Sequence, residues 1–277
     1  MAAPNRPHLA FLVLLAACTS DTTADPQQPE ASSDTGPEDT APEDTGKDTV
    51  EDTGEAPEED PPPVYDCGDE ALYSQDPIGQ WRVCVSADLQ ASDASLCEEA
   101  MALLESDLGR IEGLWEDAII EQLQSVRIWL ERDVAAFPGG VYHPSASWLS
   151  SNGYPEYWAE GIQLGNAANY LSWTSIQPAL VLHELSHAWH HQVLGYDQSE
   201  IKAAYDAAMA SGIYEAVAYA GGGTQEAYAT TNEIEYFAEL SEAYFWENDF
   251  YPFTQSELAE FDPQGFTAVE NAWLPLD

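Results

Sequence analysis

Positive charge is scarce in this chain: 7 lysines and arginines stand against 50 aspartates and glutamates, for a formal net charge of −43. Such an excess repels phosphate backbones and anionic headgroups, so no nucleic acid partner is expected and a lipid surface is a poor one. Cysteine is also sparse, with 4 in 277 residues, and none of the spacings forms a CxxC pair, which argues against a cysteine-built metal knuckle. Apolar runs are short. The run at residues 8–17 is too brief to span a bilayer, and no other stretch could do so. Aromatic residues are missing altogether from Thr19 to Pro63, where Lys47 is the single positive charge in repeats such as "PEDTAPEDTGKDTVEDTG". That segment cannot bury enough apolar surface to offset its chain entropy, so it is expected to be a disordered, self-repelling acidic tether.

At the N-terminus, Arg6 gives a positive flank to the apolar run, which ends in Leu15-Ala16-Ala17-Cys18. These residues resemble a bacterial lipobox. The resemblance implies a lipoprotein signal peptide over residues 1–18, with Cys18 acylated as the mature N-terminus. The expected location is then the bacterial cell envelope, at the outer membrane or cell surface, with membrane contact only through the anchor at Cys18. Residues 19–63 hold the folded part away from the lipid.

Residues 64–277 carry nearly all the aromatics and are long enough for one domain, expected to be a monomer. Within them only Arg82, Arg110, Arg127, Arg132 and Lys202 are basic. Cys67, Cys84 and Cys97 lie in a compartment that favours oxidation, which allows one disulfide and one remaining thiol. All three pairings stay open.

Pattern along the domain predicts a mixture of helices and strands. "WRVCVS" and "SVRIWLERD" alternate as strands, the second with Val126, Ile128 and Leu130 inward and Arg127 and Glu131 outward. "SLCEEAMALLESDLGRIEGLW" repeats Leu104, Leu108, Ile111 and Leu114 at helical spacing, with Ser95 available as its cap. "GIQLGN" is expected to be extended. "YEAVAYAGGGTQEAYATT" predicts a hairpin, and helices are expected over Gln198 to Ala210, "NEIEYFAELSEAYFW", "TQSELAEF" and the last residues. The fold class expected is α+β with a small sheet.

"VLHELSHAWHHQVLG", residues 181–195, holds four histidines and a glutamate. Ser175 and Pro178 suit a helix start and Gly195 its end, with Leu182, Leu185, Trp189 and Val193 as the core stripe. His183 and His187 lie four residues apart, just over one turn, so both imidazoles can reach one ion without bending the backbone. Glu184 projects beside them. That is the HExxH arrangement, in which zinc lowers the pKa of a coordinated water from about 16 to near 7 and the glutamate serves as general base. The motif alone arises by chance in roughly one chain in a hundred of this length, so by itself it leaves a solvated polar helix face as an alternative. His190 and His191 are expected at the surface.

A catalytic zinc needs a third protein ligand. In "YATTNEIEYFAELSEAYF" (228–245), Glu235 and Glu239 fall one turn apart on a helix capped by Asn232, amid aromatic residues. Carboxylates on such a surface need a partner, and a cation is one. The alternatives are a capping-box contact from Glu235 to Asn232 and a solvated acidic stripe for Glu239 and Glu242.

HExxH followed by a downstream helical glutamate resembles the gluzincin pattern, and "YATTNEIEYFAE" is similar to the corresponding segment of the anthrax lethal factor type of metallopeptidase domain. Residues 125–263 as a whole resemble a group of secreted bacterial zinc metallopeptidases without an assigned substrate. The resemblance implies a zincin-like fold with His183, His187 and Glu235 as Zn2+ ligands and Glu184 as the base. It further implies that Glu239 supports a zinc-bound histidine, and that Tyr228, seven residues before the ligand glutamate, stabilises the transition state. A peptide or protein substrate is the implied partner. "IQLGNAANYL" could present an exposed strand edge to a peptide, or be a plain structural strand.

The function expected is therefore an extracytoplasmic zinc-dependent peptidase, an endopeptidase, that hydrolyses peptide bonds with a metal-activated water. Two other classes compete with it. In one, a non-catalytic surface lipoprotein uses zinc structurally and the fold serves binding; in the other, a disulfide-stabilised adhesion module holds no metal.

Overall fold

The structure, a computed structural model, describes residues 61–274. The lipobox with Cys18 and the acidic tether up to residue 60 lie outside the described residues. In chain order the elements are β1 (Tyr73–Gln75), β2 (Arg82–Ser86), α1 (Ala87–Ser92), α2 (Ala94–Glu112), α3 (Asp117–Gln124), β3 (Arg127–Leu130), β4 (Gly140–Tyr142), α4 (Ala146–Ser151) and β5 (Ile162–Leu164). Then follow α5 (Ala167–Trp173), α6 (Leu180–Trp189), α7 (Ser199–Ser211), β6 (Val217–Ala218), β7 (Thr224–Gln225), α8 (Glu233–Phe245), α9 (Gln255–Phe261) and α10 (Pro263–Ala272). Helices and strands are mixed around a small sheet, as an α+β class requires. No helix among the described residues is long and apolar enough to cross a membrane.

The five-stranded sheet runs β1-β2-β3-β5-β4. Its centre is parallel, with Val83 opposite Ile128 and Ile128 opposite Ile162, while β1 and β4 are antiparallel edges. Parallel centres are covered on both faces, so their strands have no wet side. This corrects the alternation expected of β3: Trp129 is fully buried between Ile128 and Leu130, and Glu131 is buried as well. The Glu131 carboxylate accepts from the Tyr73 hydroxyl at 2.7 Å and from Gln163 Nε2 at 3.2 Å, which offsets the loss of water. One face, with Val83, Val85, Ile128, Leu130 and Ile162, packs on the helices. The other, with Cys84, Trp129, Phe137 and Trp158, is roofed by loops. The disulfide joins Cys67 to Cys84 on that second face, and Cys97 is a free thiol buried on the helical side.

Further expectations are settled. Of the two readings of the segment at 162–164, exposed edge or plain structural strand, the second holds: β5 is hydrogen-bonded on both sides and wholly buried, because β4 folds back antiparallel and takes the outer position. On this side of the sheet the outermost described strand is β4. Asn166 then caps α5, accepting from Asn169 N at 2.9 Å, where the sequence had suggested a continued strand edge. At α2 the cap is Asp93 rather than Ser95, accepting from Leu96 N at 3.2 Å.

The histidine-bearing α6 begins at Leu180, after Ala179, and every one of its residues is buried. It lies between the sheet side and α8, so a single stripe does not describe it; Leu182 and Leu185 in their fully buried positions each contribute about 2 kcal/mol. Trp189 stacks on Trp273 at 5.1 Å and donates to the Ala272 carbonyl. Beyond Trp189 the helix widens into a π turn, His190–Leu194, before Gly195 ends it at φ +78°. The wider turn changes which face each residue occupies. His190, expected at the surface, is consequently fully buried against Tyr196 and Phe237, and His191 is half-buried with Nδ1 2.8 Å from the Tyr142 hydroxyl.

His143, just after β4, is buried with Nε2 3.2 Å from Gln163 Oε1 and its ring stacked on Trp158. Burial pushes its pKa down to about 4, against a smaller upward pull from Gln163. A folded pKa below the unfolded value of about 6.5 means that this group's contribution is complete above that value and declines as pH falls towards 4. Between pH 7.5 and pH 5 the stability difference between the wild type and His143→Phe should shrink by about 2 kcal/mol in urea unfolding. A difference that does not change with pH would refute this.

Candidate metal centre

Four residues of α-helix advance just over one turn, and α6 uses that spacing to bring the Nε2 atoms of His183 and His187 to 3.1 Å. The rings meet edge to face. The third group arrives from α8, whose start is fixed by Asn232, its side chain accepting from Ile234 N at 2.8 Å and Glu235 N at 2.9 Å. No capping box forms. Instead the Glu235 carboxylate turns inward, with Oε2 3.2 Å from His183 Nε2 and 3.1 Å from His187 Nε2. Three atoms that can each offer a lone pair thus form a nearly equilateral triangle. Zinc bonds of about 2.0–2.1 Å in tetrahedral geometry place ligand atoms about 3.3 Å apart, close to these edges.

The protons support the same conclusion. His183 Nδ1 lies 2.6 Å from Glu242 Oε1, an acceptor when ionised, so the proton belongs on Nδ1 and the Nε2 lone pair points at Glu235 and His187. With no ion present, a proton on either imidazole Nε2 would bridge to Glu235; with one present, all three atoms face it. His183, His187 and Glu235 form a group that could hold a metal ion. None of the five basic side chains in the described region supplies that charge. Arg82 donates to the Ser125 carbonyl, Arg110 lies over Trp246, Arg127 over Trp129, Arg132 pairs with Asp88, and Lys202 with Asp206.

The supporting carboxylate differs from the one expected. Glu239 Oε1 stands 3.9 Å from His183 Nδ1, beyond hydrogen-bond range, whereas Glu242 makes the short contact. Seven residues return a helix to nearly the same face, whereas four overshoot by about 40°, so Glu242 follows Glu235 more closely than Glu239 does. Neither glutamate is part of a solvated stripe; both are fully buried. The seven-residue interval between Glu235 and Glu242 on this helix was the available signal.

Glu184 is buried beside the histidines and under β4. Gly140 makes room for it: a Cβ there would come within 2.9 Å of Glu184 Cγ and Oε1. Burial raises the Glu184 carboxyl above its ordinary range, with His183, His187 and the Tyr142 backbone pulling the other way. Such a carboxylate holds a proton more readily than an exposed one does. Tyr228 sits in a 3-10 turn, Tyr228–Thr230, ahead of α8, its ring 6.3 Å from that of His183. Burial and the charges of Glu235, Glu184 and Glu239 push its hydroxyl far above the usual phenol range, so it remains a hydrogen-bond donor. His183, Glu184, His187, Tyr228 and Glu235 therefore gather at one place, with Glu239 near but not bonded to His183, and Glu242 and Gln177, whose Nε2 lies 3.3 Å from Glu242 Oε1, join them.

Compared with known proteins, the chain matches no family model, and no curated protein or solved structure is significantly similar to it.

Because Glu242 holds the Nδ1 proton of His183, Glu242→Gln should weaken metal affinity about 10–100-fold in competition titrations against a chromophoric chelator. Unchanged affinity would mean that His183 is oriented by packing alone.

Proposed function

We propose that this domain is a zinc-dependent peptidase with a zincin-like, gluzincin-type active site, held outside the cytoplasm by a lipid anchor at Cys18 and acting on peptide or protein substrates. The carrying observation is the convergence of His183 Nε2, His187 Nε2 and Glu235 Oε2 at 3.1–3.2 Å with a buried glutamate beside them. Two imidazoles and one carboxylate suit zinc, and three protein donors rather than four leave a coordination corner open, the mark of catalytic rather than structural sites. His183, His187 and Glu235 would hold the ion, which supplies Lewis acidity that makes water nucleophilic at neutral pH.

The protein's own groups divide the remaining work. Glu184, with its raised proton affinity, takes the proton of the attacking water and passes it to the leaving amine. Tyr228, protonated across the working range, donates its O–H to the scissile carbonyl oxygen as negative charge develops. Glu242 keeps His183 in one tautomer and orientation. The free edge of β4, with Gly140 against Glu184, offers backbone groups to an extended peptide laid alongside it.

Glu184→Gln should retain stoichiometric zinc and lose about 10²–10⁴-fold in kcat on a cleavable peptide from a library screen. Tyr228→Phe should lower kcat about 10²–10³-fold with little change in KM. If Glu184→Gln keeps both zinc and full turnover, Glu184 is not the base. Zinc without turnover in the wild type would favour the structural-zinc surface lipoprotein.

A further inference from the structure

Strand β4 lies directly against the general base of the proposed peptidase. A Cβ on Gly140 would come within 2.9 Å of Glu184 Cγ and Oε1 and 3.1 Å of Leu180 Cδ1, so backbone and carboxylate meet there. The pairing of β4 fixes which of its groups face that way. Gly165 N donates to the Gly139 carbonyl at 2.9 Å, His143 N to the Gly161 carbonyl at 3.0 Å and Glu160 N to the His143 carbonyl at 2.7 Å. Residues 139 and 143 thus turn their backbone groups towards β5. By the alternation of an antiparallel pair, residues 140 and 142 turn theirs to the outer side. The outward N–H of Tyr142 is hydrogen-bonded to the Glu184 carboxylate.

The side chain of Tyr142 makes a second attachment. It is buried on the helical face of the sheet, and its hydroxyl meets the π turn that ends α6. The oxygen lies 2.8 Å from His191 Nδ1 and accepts from Gln192 Nε2 at 3.0 Å. Gln192 is held in turn, its Oε1 accepting from Gln122 Nε2 at 3.4 Å and its Nε2 also reaching the Glu160 carbonyl at 3.3 Å. With Gln192 donating to the oxygen, the phenol proton goes to His191 Nδ1, which places the imidazole proton on Nε2. Burial favours the neutral forms that this needs, raising the phenol and lowering the imidazole. Glu184 and His191 are seven residues apart, which returns the helix to nearly the same face about 10 Å further on. One tyrosine therefore touches α6 at two points, its amide at Glu184 and its hydroxyl at the turn beyond.

We infer that Tyr142 is a positioning residue for Glu184: its amide holds the carboxylate, and its hydroxyl, fastened by His191 and Gln192, holds that amide in place. The catalytic meaning of this clamp rests on the reading of Glu184 as the base, whereas the clamp itself can be measured without turnover.

Hydrogen exchange at the residue-142 amide, followed by NMR on the full chain as purified, reads the clamp directly. Loss of the hydroxyl contact should speed that exchange about 10-fold in Tyr142→Phe and in His191→Phe. His191→Asn, whose side-chain oxygen falls near the position of Nδ1, should keep exchange slow, and Glu184→Ala should speed it with the hydroxyl contact intact. On a peptide that the wild type cleaves, Tyr142→Phe and His191→Phe should lower kcat about 10-fold with KM and bound zinc unchanged, and His191→Asn should retain it. If Tyr142→Phe does not fold, the two His191 variants decide. The inference is overturned if Tm falls in the variants while exchange and kcat stay at wild-type values, as a packing contact alone would give, or if exchange quickens and kcat does not fall. A zinc-loaded wild type without turnover, its residue-142 amide responding as expected, would overturn the peptidase proposal and leave the clamp standing. Turnover with an unresponsive amide would overturn the clamp alone.

Discussion

The short contact between His183 Nδ1 and the Glu242 carboxylate, 2.6 Å within a fully buried environment, is the constraint on which the centre rests. It decides which nitrogen of His183 carries the proton, and hence that Nε2 presents a lone pair. With Nε2 turned towards them, His187 and Glu235 complete a triangle of ligand atoms that could hold a metal ion. A helix exposed on one side could leave its imidazoles to water. Here α6 is enclosed on every face, so each polar atom needs a protein or ion partner.

The scaffold serves that constraint from both sides. On one, the antiparallel edge strand β4 crosses above Glu184, and the missing side chain at Gly140 allows the approach. On the other, α8 supplies Glu235 near its N-terminus and Glu242 nearly two turns later, so one rigid element both completes the centre and orients its first histidine. The chain's acidity has a local meaning as well. The few basic side chains pair with acids, carbonyls and rings at the periphery, which leaves the interior carboxylates around His183 with imidazoles as their cationic partners among the described residues.

Much of the architecture could be read from local pattern. The parallel strands at 82–86, 127–130 and 162–164, the helix at 199–211 and the hairpin pairing Val217 with Gln225 follow from apolar periodicity and turn residues. The pairing of His183 with His187 follows from helical spacing, whereas only the family resemblance singles out Glu235 over Glu239 as the third group. What eluded local pattern has a common cause. His190 and Glu131 are polar residues that local pattern assigns to solvent, and each is buried because a distant element covers it; local pattern reads Glu242 only as part of a solvated stripe, and it too is buried. Whether the β5 segment is an edge or an inner strand stays open in the sequence because nothing in its own residues records that β4 returns to lie outside it.

By itself, then, the sequence determined the charge, the mixed helix and strand content, the two imidazoles one turn apart and a candidate third ligand some fifty residues on; these depend on bond geometry and on helical pitch. Tertiary structure decided the Cys67–Cys84 pairing, the identity of the carboxylate that holds His183, the inward turn of His190 at the π turn, and the meeting of Gln177 with Glu242. Those outcomes depend on which surfaces are covered and by what. Burial is a property of the folded whole, and a residue's neighbours in the chain carry little information about it.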